Sequence, residues 1–234
     1  MKKVFITGGS RGIGAECVRA FSRAGYRVFF TYKNSTDAAE ELAAETGAAA
    51  IRADVASSSD MSRAAEIAGD VDIIVNNAGI SQIKMLNDIT EADWDRMFDV
   101  NIKGMFLTVK AFLGGMVNKK QGRIINISSM WGEDGGSCEV QYSASKAAVI
   151  GFTKALAKEL GPSGITVNCV SPGVIATDMN KELSEADINA LAEDTPVCRI
   201  GSAAEVADTV MFLASDKAGF ITGAVLPVNG GIVM

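Results

Sequence analysis

Seven short apolar runs, rich in β-branched residues, recur from one end of the chain to the other, and helical patterns fill most of the space between them. The runs cover residues 4–7, 28–32, 50–53, 71–76, 124–128, 166–171 and 225–229. They are apolar almost throughout rather than at alternate positions, which predicts strands buried on both faces. Helical patterns span 13–24, 37–45, 60–68, 91–117, 142–160 and 204–214. Thr90-Glu91-Ala92-Asp93 reads as a helix start, with Thr90 as N-cap and the acids meeting the positive end of the helix dipole. Strand–helix alternation with short links implies a parallel sheet with right-handed crossovers and helices on both faces. The expected fold is α/β: one doubly wound domain over residues 1–234, built on seven mostly parallel strands. Residues 178–199 break the rhythm. Their helical pattern (Leu183, Ile188, Leu191) has no place in the layers, so a lid over a site is expected there.

The 234 residues include no histidine. That excludes Ser-His-Asp and Cys-His catalysis, histidine-ligated zinc and the HExxH motif. Proton chemistry is left to Tyr, Lys, Cys, Asp or Glu, and no metal site is expected. A net charge of −6 offers no basic field to collect nucleic acid. Cys17, Cys138, Cys169 and Cys198 show no CxxC spacing, so reduced thiols in a cytoplasmic chain are expected. The first residues lack the apolar stretch of about 7–15 that a signal peptide needs. No run is expected to reach membrane-spanning length, so neither a membrane nor a nucleic acid is an expected partner.

The first strand runs into Thr7-Gly8-Gly9-Ser10-Arg11-Gly12-Ile13-Gly14 and then a helix. Glycines there permit a tight turn and close backbone approach, and the helix N-terminus offers free N–H groups to a pyrophosphate. Taken alone, such a turn is equally compatible with binding nothing. A site for NAD carries an acid after the second strand, about 20 residues on. Here that place reads Thr31-Tyr32-Lys33-Asn34, and the nearest acid, Asp37, lies in the next helix. Lys33 and Arg11 can instead meet a 2′-phosphate through charge-assisted hydrogen bonds, which points to NADP(H). Asp54-Val55 and Asn76-Asn77-Ala78-Gly79 follow the third and fourth strands, where open α/β sheets bind ligands, although turn chemistry alone also accounts for them.

Tyr142 and Lys146 stand four apart in a helical stretch and share one face. Ser129 lies just past the fifth strand. A tyrosine of pKa about 10 is a poor acid–base group at neutral pH, but a neighbouring ammonium lowers that value. A serine hydroxyl can then hold a carbonyl oxygen while the phenol donates its proton. On an arbitrary helix the same pair is an exposed polar face, so its company decides.

That company resembles the short-chain dehydrogenase/reductase family along the whole chain: Thr7-Gly8-x3-Gly12-x-Gly14, Asp54-Val55, Asn76-Asn77-Ala78-Gly79, Asn101, Ser129, Tyr142-x3-Lys146, and Ser171-Pro172-Gly173 with Thr177. The resemblance implies a Rossmann-like domain in which Ser129 orients a ketone, Tyr142 is the acid/base, and Lys146 lowers its pKa and holds the nicotinamide ribose. Asn101 would position a water linking Lys146 to a proton relay. The implied cofactor residues are Gly8, Ser10, Arg11, Gly12, Ile13 and Gly14 in the turn, Tyr32 and Lys33 after the second strand, and Asp54 and Val55 at the adenine. Asn76, Ala78 and Gly79 follow on the adenine-ribose side, with Pro172, Gly173, Ile175 and Thr177 at the nicotinamide and pyrophosphate. A homotetramer is also implied, with the helices at 91–117 and 142–160 packing against copies of themselves.

Within the family, Gly164-Ile165-Thr166-Val167-Asn168 and Val228-Asn229-Gly230-Gly231 are similar to bacterial 3-oxoacyl-[acyl-carrier-protein] reductases. Those tend to carry a base just before the first of these runs to hold the acidic carrier. Here that residue is Ser163, with Lys119, Lys120 and Arg123 nearby. A narrower resemblance, over Ser128-Ser129-Met130-Trp131-Gly132-Glu133-Asp134 and on through Cys138-Glu139-Val140-Gln141-Tyr142-Ser143, is to the elongation factor P 5-aminopentanone reductases of Gram-positive bacteria. Glu133, Asp134 and Glu139 are then either partners for a substrate ammonium or solvated loop charges, and Trp131 is either a pocket wall or simple packing. The implied reaction is NADPH-dependent reduction of a ketone, presented on an acyl carrier protein or another protein. A non-catalytic dinucleotide-binding protein is the alternative, and it would have no need of Ser129, Tyr142 and Lys146 together.

Overall fold

A computed structural model describes residues 1–180 and 184–233. Among them, seven parallel strands form the main sheet: β1 (Lys3–Ile6), β2 (Arg27–Tyr32), β3 (Ala49–Arg52), β4 (Ile73–Asn76), β5 (Gly122–Ile127), β6 (Ile165–Pro172) and, after a short pair described below, β9 (Val225–Val228). Their order is β3-β2-β1-β4-β5-β6-β9. The chain therefore builds outward from β1 to β3, returns to the other side of β1, and builds outward again. Strand order reverses between β1 and β4, which opens a crevice at the carboxyl ends of those two strands.

Each strand feeds two cores. Val4 and Ile6 of β1 join Phe30, Val75 and Val210 on the face covered by α1 (Gly12–Arg23), α2 (Thr36–Thr46) and α8 (Ala203–Ala214). Phe5, between them, joins Phe29, Ile74 and Ile124 on the face covered by α3 (Ser58–Ala68), α5 (Gly104–Lys119) and α6 (Val140–Leu160). With core on both sides, successive residues that point opposite ways must all be apolar, and that is the pattern found in the strand sequences.

The helix expected over 91–117 is interrupted. It begins as expected, with Thr90 and Asp93 forming a reciprocal capping box at the start of α4 (Glu91–Phe98). A single π turn, Asp99–Lys103, then separates α4 from α5. Here the Asn101 side chain is drawn into bonds with Ile80 in the segment after β4, and Gly104 abuts Val55. The bonds that accompany the π turn join Asn101 to Ile80 and Ser145, remote in the chain, so the local pattern does not reveal it. By length and composition alone this 29-residue stretch, Glu91–Lys119, is long enough to cross a membrane, contrary to the sequence expectation. Its buried face, with Val109, Phe112 and Met116, packs into the core, while Trp94, Phe106 and Val117 remain exposed.

The stretch 178–199 leaves and re-enters the fold through two-residue strands absent from the expectation, β7 (Ile175–Ala176) and β8 (Gly201–Ser202), which pair in parallel. Between them α7 (Glu185–Asp194) starts at a Ser184–Asp187 capping box. Ile188 and Leu191 are half-buried, and Leu183 of the expected pattern lies outside the described residues.

Candidate active site

The crevice is lined on one side by the turn after β1 and on the other by the segment after β4. The Thr7 hydroxyl accepts the N–H groups of Asn77 and Ala78, each at 3.0 Å. The Asn77 amide in turn donates to the carbonyls of Thr7 (3.0 Å) and Gly8 (2.9 Å). Asn77 is thus a clamp that sequence reasoning did not single out. Gly8 adopts φ +64°, and a Cβ on it would lie 2.9 Å from the Ala78 backbone. A Cβ on Gly14 would lie 2.2 Å from the Gly8 carbonyl oxygen. Helices α3, α4, α7 and α8 all begin at a serine or threonine cap. Helix α1 has no side-chain cap and no acid in its first turn. Its leading N–H groups, at Gly12 and Ile13, are therefore available to an anion. Thr177 approaches from the opposite wall, with its methyl group 3.4 Å from where a Gly12 Cβ would stand.

Of the residues expected at the adenosine, Val55 is buried, Tyr32 and Ser10 are half-buried, and Arg11 and Lys33 are exposed. Lys33 forms an ion pair with Asp54. Burial pushes the Asp54 carboxyl up, but the Lys33 ammonium and the Ala56 N–H outweigh it and hold the group below the usual range. Two residues expected at the cofactor direct their side chains elsewhere. Asn76 is fully buried and donates to Asn126 at 2.8 Å, and Asn126 donates to Thr153 of α6 at 2.9 Å. Ile175 packs in the core beside α1 and α8, so only its backbone is left for a ligand. Pro172 is buried, and Gly173 passes so close to Asn229 that a Cβ would lie 2.8 Å from its Cα.

Beyond the crevice, Ser129, Tyr142 and Lys146 come together at the start of α6, all buried. The Lys146 ammonium donates to the Ile127 carbonyl at 2.9 Å and stands 5.6 Å from the centre of the Tyr142 ring. Burial pushes the phenol up to about 12; a Ser129 hydrogen bond opposes this and the Glu139 carboxylate adds to it. Burial also lowers Lys146, to about 8. Desolvation dominates, and the ammonium is aimed at a backbone carbonyl.

Asn101 is also buried. Its Oδ1 accepts the Ile80 N–H (2.8 Å), while its Nδ2 donates to the Ile80 carbonyl (2.9 Å) and to Ser145 Oγ (3.0 Å). Ser145 Oγ donates to the Tyr142 carbonyl at 2.7 Å. Asn101 thereby fixes the backbone of α6 beneath the phenol. Gly79 fills the gap, a Cβ there lying 3.4 Å from both Asn101 Oδ1 and Lys146 Nζ. Ser145 escaped sequence reasoning because its partner is remote in the chain, although its position three residues after Tyr142 was visible.

A family model described as enoyl-(acyl carrier protein) reductase matches residues 8–233. An acetoacetyl-CoA reductase of Shinella zoogloeoides is 42% identical over 97% of this chain and 96% of its own. A 3-oxoacyl-[acyl-carrier-protein] reductase of Staphylococcus epidermidis is 40% identical over 100% and 99%. A short-chain dehydrogenase/reductase of Serratia marcescens, solved as a double mutant, superposes with TM-score 0.92 at 37% identity, covering 99% of this chain and 97% of that one.

The chain belongs to the short-chain dehydrogenase/reductase family.

As a member, it is an NADP(H)-dependent oxidoreductase acting on CH–OH groups. The residues present fit the dinucleotide. The turn can lie this close to Ala78 and Asn77 only while Gly8 and Gly14 lack a Cβ, and it leads into the uncapped α1 terminus, whose N–H groups would hold the pyrophosphate. Replacing Gly14 by Ala forces the turn apart, so NADPH affinity, measured by fluorescence titration of the folded variant, is expected to fall by more than about tenfold, or ~1.4 kcal/mol.

Proposed function

We propose that this enzyme reduces the ketone of a 3-oxoacyl thioester to a secondary alcohol. The observation that carries the reading is the buried Ser129–Tyr142–Lys146 cluster beside the nucleotide crevice. When bound, NADPH would supply the hydride for the carbonyl carbon. Ser129 holds the carbonyl oxygen, and Tyr142 donates its proton to that oxygen as the C=O electron pair moves onto it. Burial pushes the phenol up to about 12, so it is protonated at neutral pH, and its donation depends on positive charge that stabilises the phenolate left behind. Lys146 supplies positive charge beside the phenolate left behind, and solvent returns the proton. Full-length similarity to an acetoacetyl-CoA reductase and to carrier-protein reductases supports a thioester substrate. The segment 178–199, leaving and returning through β7 and β8, serves as the lid over that substrate.

Two surfaces extend the proposal. Trp94, stacked on Phe98, and Phe106 and Val117 leave an apolar stripe along α4 and α5, which suits packing against a second copy in a cytoplasmic homotetramer. At the basic surface near Ser163, Lys119 pairs with Asp70 and Asp72, and Arg123 with Asp216. These cations are partly neutralised for an acidic carrier.

That neutralisation and one carboxylate favour a second reading: a ketone that carries an ammonium group, as in the 5-aminopentanone modification of elongation factor P. Glu133 and Asp134 are exposed, whereas Glu139 is half-buried between Trp131 and Tyr142. Burial raises its carboxyl, and a hydrogen bond with Trp131 partly opposes this. A desolvated carboxylate beside the reacting carbonyl attracts a substrate cation more strongly than a solvated one does.

Four outcomes are expected. Tyr142→Phe retains NADPH binding but loses at least about 99% of ketone reduction, since general acid catalysis contributes roughly 10²–10⁴-fold. In the wild type, reduction falls as pH rises through about 8, where Lys146 loses its charge, while Tyr142 remains protonated. Retained activity in Tyr142→Phe, or a flat profile to pH 10, contradicts the assignment. Glu139→Gln, assayed by NADPH oxidation with an acetoacetyl thioester and with an amino-ketone, loses only the amino-ketone activity if the second reading holds, and affects both equally otherwise. Sedimentation at micromolar concentration is expected to show a tetramer, and Phe106→Glu to dissociate it.

A further inference from the structure

Lys33 and Asp54 follow neighbouring strands, β2 and β3, which run in register with Tyr32 opposite Arg52. Their ion pair therefore lies at the adenosine end of the crevice. The two partners are not equally free. Asp54 Oδ1 accepts the Ala56 N–H at 3.0 Å, and the Asp54 backbone N–H donates to Asp60 Oδ2 at 2.9 Å. Arg63 anchors that neighbour in turn, pairing with Asp60 at 3.3 Å and donating to the Arg52 carbonyl at 3.0 Å. Asp54 is thus fixed in its turn, whereas the Lys33 side chain is 59% exposed and ends on a flexible stem. Arg11, the other cation at this end, makes no ion pair among the described residues.

We propose that Asp54 is a specificity-determining residue for the cofactor: by holding Lys33 it limits the preference for a 2′-phosphorylated nucleotide. The proposal rests on the NADP(H) reading of this crevice and goes beyond it. A 2′-phosphate must share the Lys33 ammonium with a fixed carboxylate, and the phosphate and that carboxylate repel each other. Arg11 meets the phosphate without any such competition. The preference for NADPH over NADH is therefore set by three groups, two attracting and one opposing, rather than by the two cations alone.

The test is calorimetric titration of the full-length protein with 2′,5′-ADP and with 5′-AMP, which differ only in the 2′-phosphate. Any contact of Asp54 with the adenine ring affects both nucleotides and cancels in their ratio. Asp54→Asn is expected to raise the affinity ratio in favour of 2′,5′-ADP by about threefold or more, the scale of a part-exposed ion pair. In a Lys33→Met background, adding Asp54→Asn is expected to raise the ratio distinctly less. A ratio that is unchanged or lowered in Asp54→Asn overturns the proposal, as does an equal rise with Lys33 absent, which would mean simple removal of an anion. Failure of the wild type to bind either nucleotide overturns the cofactor reading and this proposal with it; failure of the proposal alone leaves wild-type binding intact.

Discussion

A single buried hydroxyl holds together the place on which everything else depends. At the reversal of strand order, the chains leaving β1 and β4 diverge, and nothing in the ladder of the sheet controls how far apart they stand. Thr7 controls it, by accepting two N–H groups from the far side, and Asn77 returns two bonds. The glycine turn is then pressed so closely against this clamp that no side chain fits between them. A crevice of fixed width with backbone walls is well suited to a pyrophosphate, because N–H groups can reach it without the entropy cost of ordering long side chains.

The catalytic end shows the opposite economy: two titratable side chains are buried at a cost. An ammonium and a phenol withdrawn from water both shift toward their neutral forms, so the lysine falls as the tyrosine rises. The fold partly offsets this with the Ile127 carbonyl for Lys146 and the Ser129 hydroxyl for Tyr142. The π turn serves the same end from below. By widening one turn between α4 and α5, it lets Asn101 satisfy both Ile80 backbone groups and still reach Ser145 under the phenol. Buried polar groups of this kind are tolerable only when nearly all their hydrogen bonds are made.

Charge is arranged differently at the two ends of the site. Beyond β2 and β3, cations sit among fixed acids, so the electrostatic field there is a balance rather than a single sign. At the mouth, exposed Glu133 and Asp134 are screened by water, while Glu139, turned inward against Trp131, acts through less of it. The same residue type therefore has different chemical weight within one short loop.

The parallel α/β layers were legible in the sequence because strands with core on both sides must be apolar at every position, as Val4, Phe5 and Ile6 are, and because Thr90 and Asp93 encode a helix start locally. The Tyr142–Lys146 pair was legible for the same reason, since four residues of helix place them on one face whatever else the chain does. Much of the rest of the site was not. The burial of Asn76 against Asn126, the Ile127 carbonyl that receives Lys146, the Asn101–Ser145 contact, the β7–β8 pair and the ion pair of Lys33 with Asp54 each join residues separated by about 20 residues or more. Periodicity and capping are properties of a few consecutive residues, so the sequence alone determines them. Desolvation and the meeting of distant side chains exist only once the layers have packed, and it was packing that decided which of the expected groups face the crevice and how they titrate.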